Sequence, residues 1–234
     1  MRFELAGRTS KYQDTVTQCF KMSVAPKINT NKLTADDLIY GYMNGIFPMA
    51  DNDGTLYWYS PDPRAVIPID TYKPPKSLRP TINKKIFEVR ISTNFEQVMR
   101  NCASSRKGDD ETWISEEIIE AYCELHKAGL AYSVETYIEN RLVGGLYGVA
   151  IGGAFFGESM FYKEPDASKV AFHYLMEILK YQGYELLDTQ FINDNVKRFG
   201  AVEIPRQEYV KQLKNSLEKR CHFTENALVH LFLG

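Results

Sequence analysis

The sequence has few cysteines and no motif that pairs them. Cys19, Cys102, Cys123 and Cys221 stand far apart, and the 4 histidines complete no zinc-ligand spacing. We therefore expect free thiols, no metal site and no cofactor. A cysteine nucleophile beside a histidine base is an open alternative, although no local signature supports it.

Long apolar runs and a strong excess of one charge are also missing. No stretch approaches the roughly 20 apolar residues that span a bilayer, and the first residues lack the apolar core of a signal peptide. The net charge of -2 excludes a polycation that coats nucleic acid, so an RNA partner needs a local basic patch. With 44% hydrophobic residues, we expect a packed cytoplasmic protein with no membrane partner.

The first 70 residues differ in pattern from the rest. Residues 1–32 show no clear period, and then Thr34 and Asp37 form a capping-box pattern that predicts a helix to about Asn44, ended by Gly45. Prolines at 61, 63, 68, 74 and 75 exclude a regular helix over that region, because each removes a backbone donor. We expect a small N-terminal domain over residues 1–70 and a second domain over residues 71–234.

The second domain is predicted to contain both helices and strands. Helical apolar spacing covers residues 94–103 and 115–127, and alternating segments at 132–138, 142–150 and 154–161 predict an antiparallel meander. A helix follows, with Asp166 or Ser168 as its cap, and Gly183 ends it before a strand over residues 184–190. The order predicts an α+β fold with a mainly antiparallel sheet and one crossover helix.

Three polar residues interrupt these apolar strands. Asp188 and Gln190 share one face of a strand because side chains alternate with period two. Glu158 follows Gly157, which allows a ligand or another backbone to approach closely. A solvated edge strand would explain the first pair and a buried ion pair would explain Glu158, so a site is one of several interpretations.

Several segments resemble the leucyl/phenylalanyl-tRNA-protein transferases. The resemblance spans about residues 33 to 211, in order, and rests on these segments: GIFP at 45–48, WYSPDPR at 58–64, TWI at 112–114, SVE at 133–135, LVGGLYG at 142–148, GESMF at 157–161, ASK at 167–169, LDTQ at 187–190 and GAVEIPR at 200–206.

This resemblance implies a GNAT-like acyltransferase domain that transfers leucine, phenylalanine or possibly methionine from tRNA. The acceptors would be proteins with an N-terminal Lys or Arg, which the added residue marks for degradation. Asp188 and Gln190 would be catalytic, with Asp188 either orienting Gln190 or accepting the proton of the amine. Glu158 would hold the α-amino group of the aminoacyl moiety or orient the terminal adenosine.

The resemblance also implies a substrate pocket. Six apolar residues would bind the aminoacyl side chain: Leu146, Phe155, Phe172, Leu175, Leu179 and Leu187. Gly157, Ser159, Trp113 and Met49 would complete the substrate site. Four residues depart from the pattern of the family. Met49 replaces a tryptophan that stacks on adenine, and Asn195 replaces a histidine. Leu175 and Leu179 stand at positions where aromatic residues are common.

A basic segment completes the expected tRNA contact. Lys76, Arg79, Lys84 and Lys85 match basic positions of the family and would bind tRNA phosphates. The protein is expected to act as a monomer. Its main rivals are an acetyltransferase that uses coenzyme A and an inactive RNA-binding relative, but the connection over residues 162–167 has no glycine for a pyrophosphate loop.

Overall fold

The computed structural model describes residues 24–27, 32–50, 55–104, 112–224 and 228. Within them, the strands are β1 (Val24–Lys27), β2 (Phe47–Ala50), β3 (Leu56–Tyr59), β4 (Arg64–Val66), β5 (Glu88–Ile91), β6 (Ala131–Ile138), β7 (Arg141–Ile151), β8 (Ala154–Tyr162), β9 (Leu186–Gln190) and β10 (Val202–Ile204). The helices are α1 (Ala35–Met43), α2 (Arg79–Asn83), α3 (Phe95–Ser104), α4 (Glu116–Lys127), α5 (Ala167–Tyr181), α6 (Asp194–Arg198) and α7 (Arg206–Leu217).

The strands form one large and one small sheet. The large sheet has the order β10-β4-β9-β8-β7-β6-β5, and the small one has the order β1-β3-β2. Strands β5 to β8 are consecutive antiparallel neighbours, whereas β8 and β9 are parallel and α5 connects them. The predicted α+β fold with a mainly antiparallel sheet and one crossover helix is confirmed.

The local signals at the helix ends act largely as predicted. Thr34 accepts a hydrogen bond from the Asp37 amide and Asp37 bonds back to the Thr34 amide, which completes the capping box of α1. Gly45 follows with a φ of 73°, a conformation that favours glycine. Asp166 occupies the cap position of α5 but makes no capping bond, because its carboxylate pairs with Lys169 instead.

Two apolar cores lie on opposite faces of the large sheet. Helices α1, α3 and α4 cover one face, and their core includes Tyr42, Tyr122 and Phe156. Helix α5 covers the other face, and its core includes Phe155 and Leu187. Neighbouring residues of β8 and β9 therefore alternate between the two cores, as the period of a strand requires.

Strands β4, β5 and β10 were not predicted, and each has only three or four residues. Strand β4 joins the large sheet between β9 and β10, although it lies within the first 70 residues. The domain division at residue 70 stays a prediction. No described helix is long and apolar enough to cross a membrane, and no described cysteine forms a disulfide.

Candidate active site

The site begins where β8 and β9 separate. Their parallel pairing ends at Phe156 and Asp188, and β9 then pairs with β4 through Gln190 and Ala65. On its other edge, β8 pairs with β7 with a shift of register, since Gly148 lies opposite Gly157 and Tyr147 lies opposite Ser159. Glu158 is therefore the extra residue of a β-bulge, a feature that redirects side chains next to functional sites.

A cavity of about 510 Å³ opens between the separating strands. Its size suits a small-molecule group. Apolar side chains form part of its lining, and most of them belong to the α5 core: Leu146, Met160, Phe172, Leu175 and Leu187. Polar side chains form another part of its lining: Glu158, Ser159, Thr189, Gln190, Asn193 and Asn195.

Glu158 is held by three donors from three different elements. The Tyr42 hydroxyl donates to Oε1 at 2.7 Å, the Gln190 amide donates to Oε1 at 3.0 Å, and the Tyr122 hydroxyl donates to Oε2 at 3.3 Å. The Tyr42 and Tyr122 hydroxyls also lie within hydrogen-bond distance of each other; because each carries one proton, that bond forms only when one of them does not donate to Glu158. Burial raises the pKa of Glu158 to about 7, because the surroundings of the carboxylate disfavour its charge.

Asp188 lies behind the cavity wall and is fully buried. Arg64 approaches it as a bidentate partner, with Nε 2.9 Å from Oδ1 and a terminal nitrogen 2.7 Å from Oδ2. The Tyr209 hydroxyl donates to Oδ2 at 2.7 Å, and the backbone amide of Gln190 donates to Oδ1 at 2.9 Å. Arg64 is only 1% exposed and its guanidinium lies over the rings of Phe47 and Tyr209.

Gln190 connects the two carboxylates. Its backbone amide bonds to Asp188 and its side-chain amide bonds to Glu158. Its φ is 58°, a left-handed conformation that costs free energy for a residue other than glycine. The contacts with both carboxylates hold the residue in that conformation at the rim of the cavity.

Two neighbours of Glu158, Gly157 and Ser159, have features that the fold alone does not explain. A Cβ atom built on Gly157 would have only ordinary contacts, at 3.7 Å from the Asp188 carbonyl oxygen and 3.8 Å from Leu187 Cδ1. The fold therefore does not require glycine there. Ser159 is 9% exposed, and its hydroxyl has no hydrogen-bond partner among the described residues, although buried polar groups usually have one.

Comparison with known proteins identifies the family. Residues 31–62 match the model of the leucyl/phenylalanyl-tRNA protein transferase N-terminal domain, and residues 66–214 match the model of leucyl/phenylalanyl-tRNA protein transferase itself. The chain belongs to this family.

Three relatives, each named leucyl/phenylalanyl-tRNA--protein transferase, illustrate the similarity. The protein from Prosthecochloris aestuarii is 48% identical over 192 residues, which cover 82% of this chain and 99% of the relative. The protein from Gloeobacter violaceus is 50% identical over 82% of this chain and 97% of the relative. The one from Herpetosiphon aurantiacus is 51% identical over 81% and 97%. The predicted family and enzyme class, an aminoacyltransferase, are confirmed.

The site residues predicted from the family resemblance fall into three groups. Glu158, Ser159, Gly157, Gln190, Leu146, Phe172, Leu175 and Leu187 line the cavity. Three other predicted residues do not line the cavity. Asp188 is fully buried and contacts the lining residue Gln190, and Phe155 and Leu179 are fully buried in the α5 core. Met49 and Trp113 are half-buried against the other core and are also not among the lining residues.

The residues expected to depart from the family pattern differ in their position relative to the cavity. Leu175 and Asn195 line it directly, whereas Leu179 is removed from it.

Sequence reasoning missed four residues of the site. Tyr42 and Tyr122 come from helices α1 and α4, Tyr209 comes from α7, and Arg64 comes from β4. Of these four residues, only Arg64 is recognisable in the sequence, because it is the charged residue that ends the proline-rich segment at 58–64. The tyrosines occupy ordinary apolar positions of amphipathic helices, so their hydroxyl contacts become visible only in three dimensions.

The predicted tRNA-binding residues form a surface patch around α2. Lys76, Arg79, Lys84 and Lys85 are all exposed, and none forms an ion pair with another described residue. Thr81 of α2 donates a hydrogen bond to Asp166 at 3.3 Å, which fixes the patch beside the start of α5.

Proposed function

We propose that the protein transfers leucine or phenylalanine, and possibly methionine, from aminoacyl-tRNA to the N-terminal Lys or Arg of acceptor proteins and so marks them for degradation. The observation that carries this proposal is the mixed lining of the cavity, which combines apolar side chains with the polar side chains of Glu158 and Gln190. An aminoacyl ester presents the same two parts, an apolar side chain and a polar reacting carbonyl.

The apolar part of the cavity supports selection of an apolar side chain, such as that of leucine, phenylalanine or methionine. Leu146, Phe172, Leu175 and Leu187 surround it, and the absent side chain at Gly157 widens it. Binding at such a site comes from the removal of apolar area from water, at roughly 25 cal/mol per Å². A charged or strongly polar side chain would lose its hydration there without finding a partner, so it would be rejected.

The polar residues of the cavity support chemistry without a covalent intermediate. The ester of an aminoacyl-tRNA is already activated, so transfer needs a neutral amine, stabilisation of the tetrahedral oxyanion, and a proton for the departing ribose oxygen. In this proposal Gln190 contacts the reacting carbonyl region, and Asp188 holds Gln190 in place through its backbone amide. The hydroxyl of Ser159 supplies a hydrogen bond to the substrate, since no described residue uses it.

The exposed basic patch supports the tRNA part of the proposal. Lys76, Arg79, Lys84 and Lys85 carry charges that no described acid neutralises, and they would bind the phosphates of the acceptor stem. Nearby Arg90 is different, because it pairs with Glu88 at 2.7 Å. The cytoplasmic location, the monomeric state and the choice of Lys or Arg acceptors belong to the same proposal.

A transfer assay tests the proposed function. The protein is incubated with leucyl-, phenylalanyl- or methionyl-tRNA and with a peptide that begins with Lys or Arg, and the extended peptide is detected by mass. A peptide with an acetylated N-terminus and a reaction with acetyl coenzyme A are the controls. We expect transfer from tRNA only, and only to the free N-terminus. No transfer from any charged tRNA would refute the proposal.

A further inference from the structure

The proposed transfer requires a group that takes the proton from the attacking amine. Resting on that proposed function, we infer that Glu158 is this group, and that Asp188 is a positioning residue that touches no reacting atom. Two observations carry the inference: the number of hydrogen bonds that each carboxylate already accepts, and the position of each carboxylate relative to the cavity.

Asp188 has no position left for another proton donor. An ionised carboxylate offers about four lone-pair sites, two on each oxygen. Arg64 and the Gln190 amide donate to Oδ1, while Arg64 and Tyr209 donate to Oδ2. All four sites are therefore used. The residue is also fully buried and does not line the cavity, so a substrate amine cannot reach it.

Glu158 has one position left, and the residue lines the cavity. Its Oε1 accepts from Tyr42 and Gln190, but its Oε2 accepts only from Tyr122, through the longest of the three bonds. Its side chain lines the cavity. The bulge of β8 provides this placement, because it sets Glu158 beside Ser159 on the cavity.

The surroundings of Glu158 suit a proton acceptor that works near neutral pH. The pKa of Glu158 is raised to about 7, chiefly by burial and also by the charge of Asp188 on β9. The hydroxyls of Tyr42 on α1 and Tyr122 on α4, together with Arg64 on β4, act in the opposite direction. A base is most effective when its pKa lies near the working pH, since it is then both deprotonated and sufficiently basic.

The proton balance needs no other reactant. The nitrogen of the neutral N-terminal amine forms a bond with the ester carbonyl carbon, and one of its protons moves to Oε2 of Glu158. When the tetrahedral intermediate collapses, the bond between that carbon and the ribose oxygen breaks. Glu158 returns the same proton to the ribose oxygen and is again a carboxylate for the next cycle.

The decisive measurement is the single-turnover rate at saturating aminoacyl-tRNA, followed between about pH 5.5 and pH 9. Wild type is compared with Glu158→Gln, Glu158→Asp and Asp188→Asn, and a thermal melt first establishes that each variant is folded. The acceptor amine titrates in every experiment, with a pKa of about 7.7 to 8.0. The plot of rate against pH therefore has one inflection that is common to all variants.

In wild type, the titration of Glu158 should add a second inflection near neutral pH to the plot of rate against pH. We expect Glu158→Gln to lower the saturating rate by about 10²- to 10⁴-fold and to lose this second inflection. Glu158→Asp should restore part of the rate and the inflection. Asp188→Asn should lower the rate but keep the inflection. A second readout, the binding of a non-reactive amide analogue of aminoacyl-tRNA, should change only a few-fold in Glu158→Gln.

Two outcomes would overturn the inference. In one, Glu158→Gln reacts at the wild-type rate once the donor saturates, and only donor binding is weakened, which would make Glu158 a binding residue. In the other, the inflection survives in Glu158→Gln and disappears in Asp188→Asn. Failure of the wild-type protein to transfer from any charged tRNA is a separate result, because it would refute the proposed function itself.

Discussion

Replacing Arg64 with methionine tests the arrangement on which the candidate site depends. Methionine has a similar length and is apolar, but it leaves the carboxylate of Asp188 buried with only two donors, Tyr209 and the Gln190 amide. It also removes the bond from Arg64 to the carbonyl oxygen of Gly45, which is 3.1 Å long. The expected result is a large loss of stability together with a loss of transfer.

The magnitude follows from the burial of the pair. Arg64 is 1% exposed and Asp188 is 0% exposed, and removing one partner of such a pair costs about 3 to 5 kcal/mol, because the other charge stays uncompensated. For a chain of this size, about 1 kcal/mol lowers the melting temperature by roughly 2 to 4 °C. We therefore expect Arg64→Met to melt about 6 to 20 °C below wild type.

Thermal melts by circular dichroism provide the measurement, and Arg100→Met is the matched control. Arg100 pairs with Glu96 and Glu116, but its side chain is 42% exposed, so its removal should cost less than about 1 kcal/mol. The double variant Arg64→Met with Asp188→Asn should be more stable than Arg64→Met alone, since the uncompensated charge is gone. An Arg64→Met melt indistinguishable from that of Arg100→Met would refute the reasoning.

Three further predictions concern the cavity and the basic patch. Burial raises the pKa of Glu158 from 4.5 to about 7, so the native state keeps a proton that the unfolded chain loses, and stability falls as pH rises through this window. Denaturant titrations at alkaline pH should therefore find Glu158→Gln more stable than wild type by up to about 3 kcal/mol, and an equal stability at every pH would contradict this. Gly157→Ala should keep the melting temperature but raise KM, most for phenylalanyl-tRNA, whereas Gly148→Ala should melt lower because its Cβ would collide with a backbone carbonyl. A filter-binding assay should show that Lys84→Gln reduces the slope of tRNA affinity against salt by about one, and an unchanged slope would remove that contact.

Much of the fold was predictable from local patterns. The capping box of α1, the long alternating strands β6 to β8 and the helix that ends at Gly183 each leave a signal within a few residues of chain. The short strands β4, β5 and β10 leave none, because three or four residues hold too little periodicity. Such strands form only when the rest of the sheet supplies an edge for them.

The site was predictable in part, for a similar reason. Glu158, Asp188 and Gln190 are polar residues in apolar strands, and that contrast is visible in the sequence. The bulge at Glu158 is not visible, since it depends on how β7 and β8 pair. The partnership of Arg64 with Asp188 joins positions 124 residues apart, so no local pattern could have predicted it.

The gap between β8 and β9 has a consequence for engineering the enzyme. In the proposed reaction, the substrate would pass through the sheet there, with its side chain on the α5 face and its ester on the face of Tyr42 and Tyr122. Changes confined to Phe172 and Leu175 would then alter the binding of the side chain without contact with the reacting atoms. The choice of amino acid should therefore be adjustable separately from the chemistry, which makes the chain a candidate for attaching unnatural residues to protein N-termini.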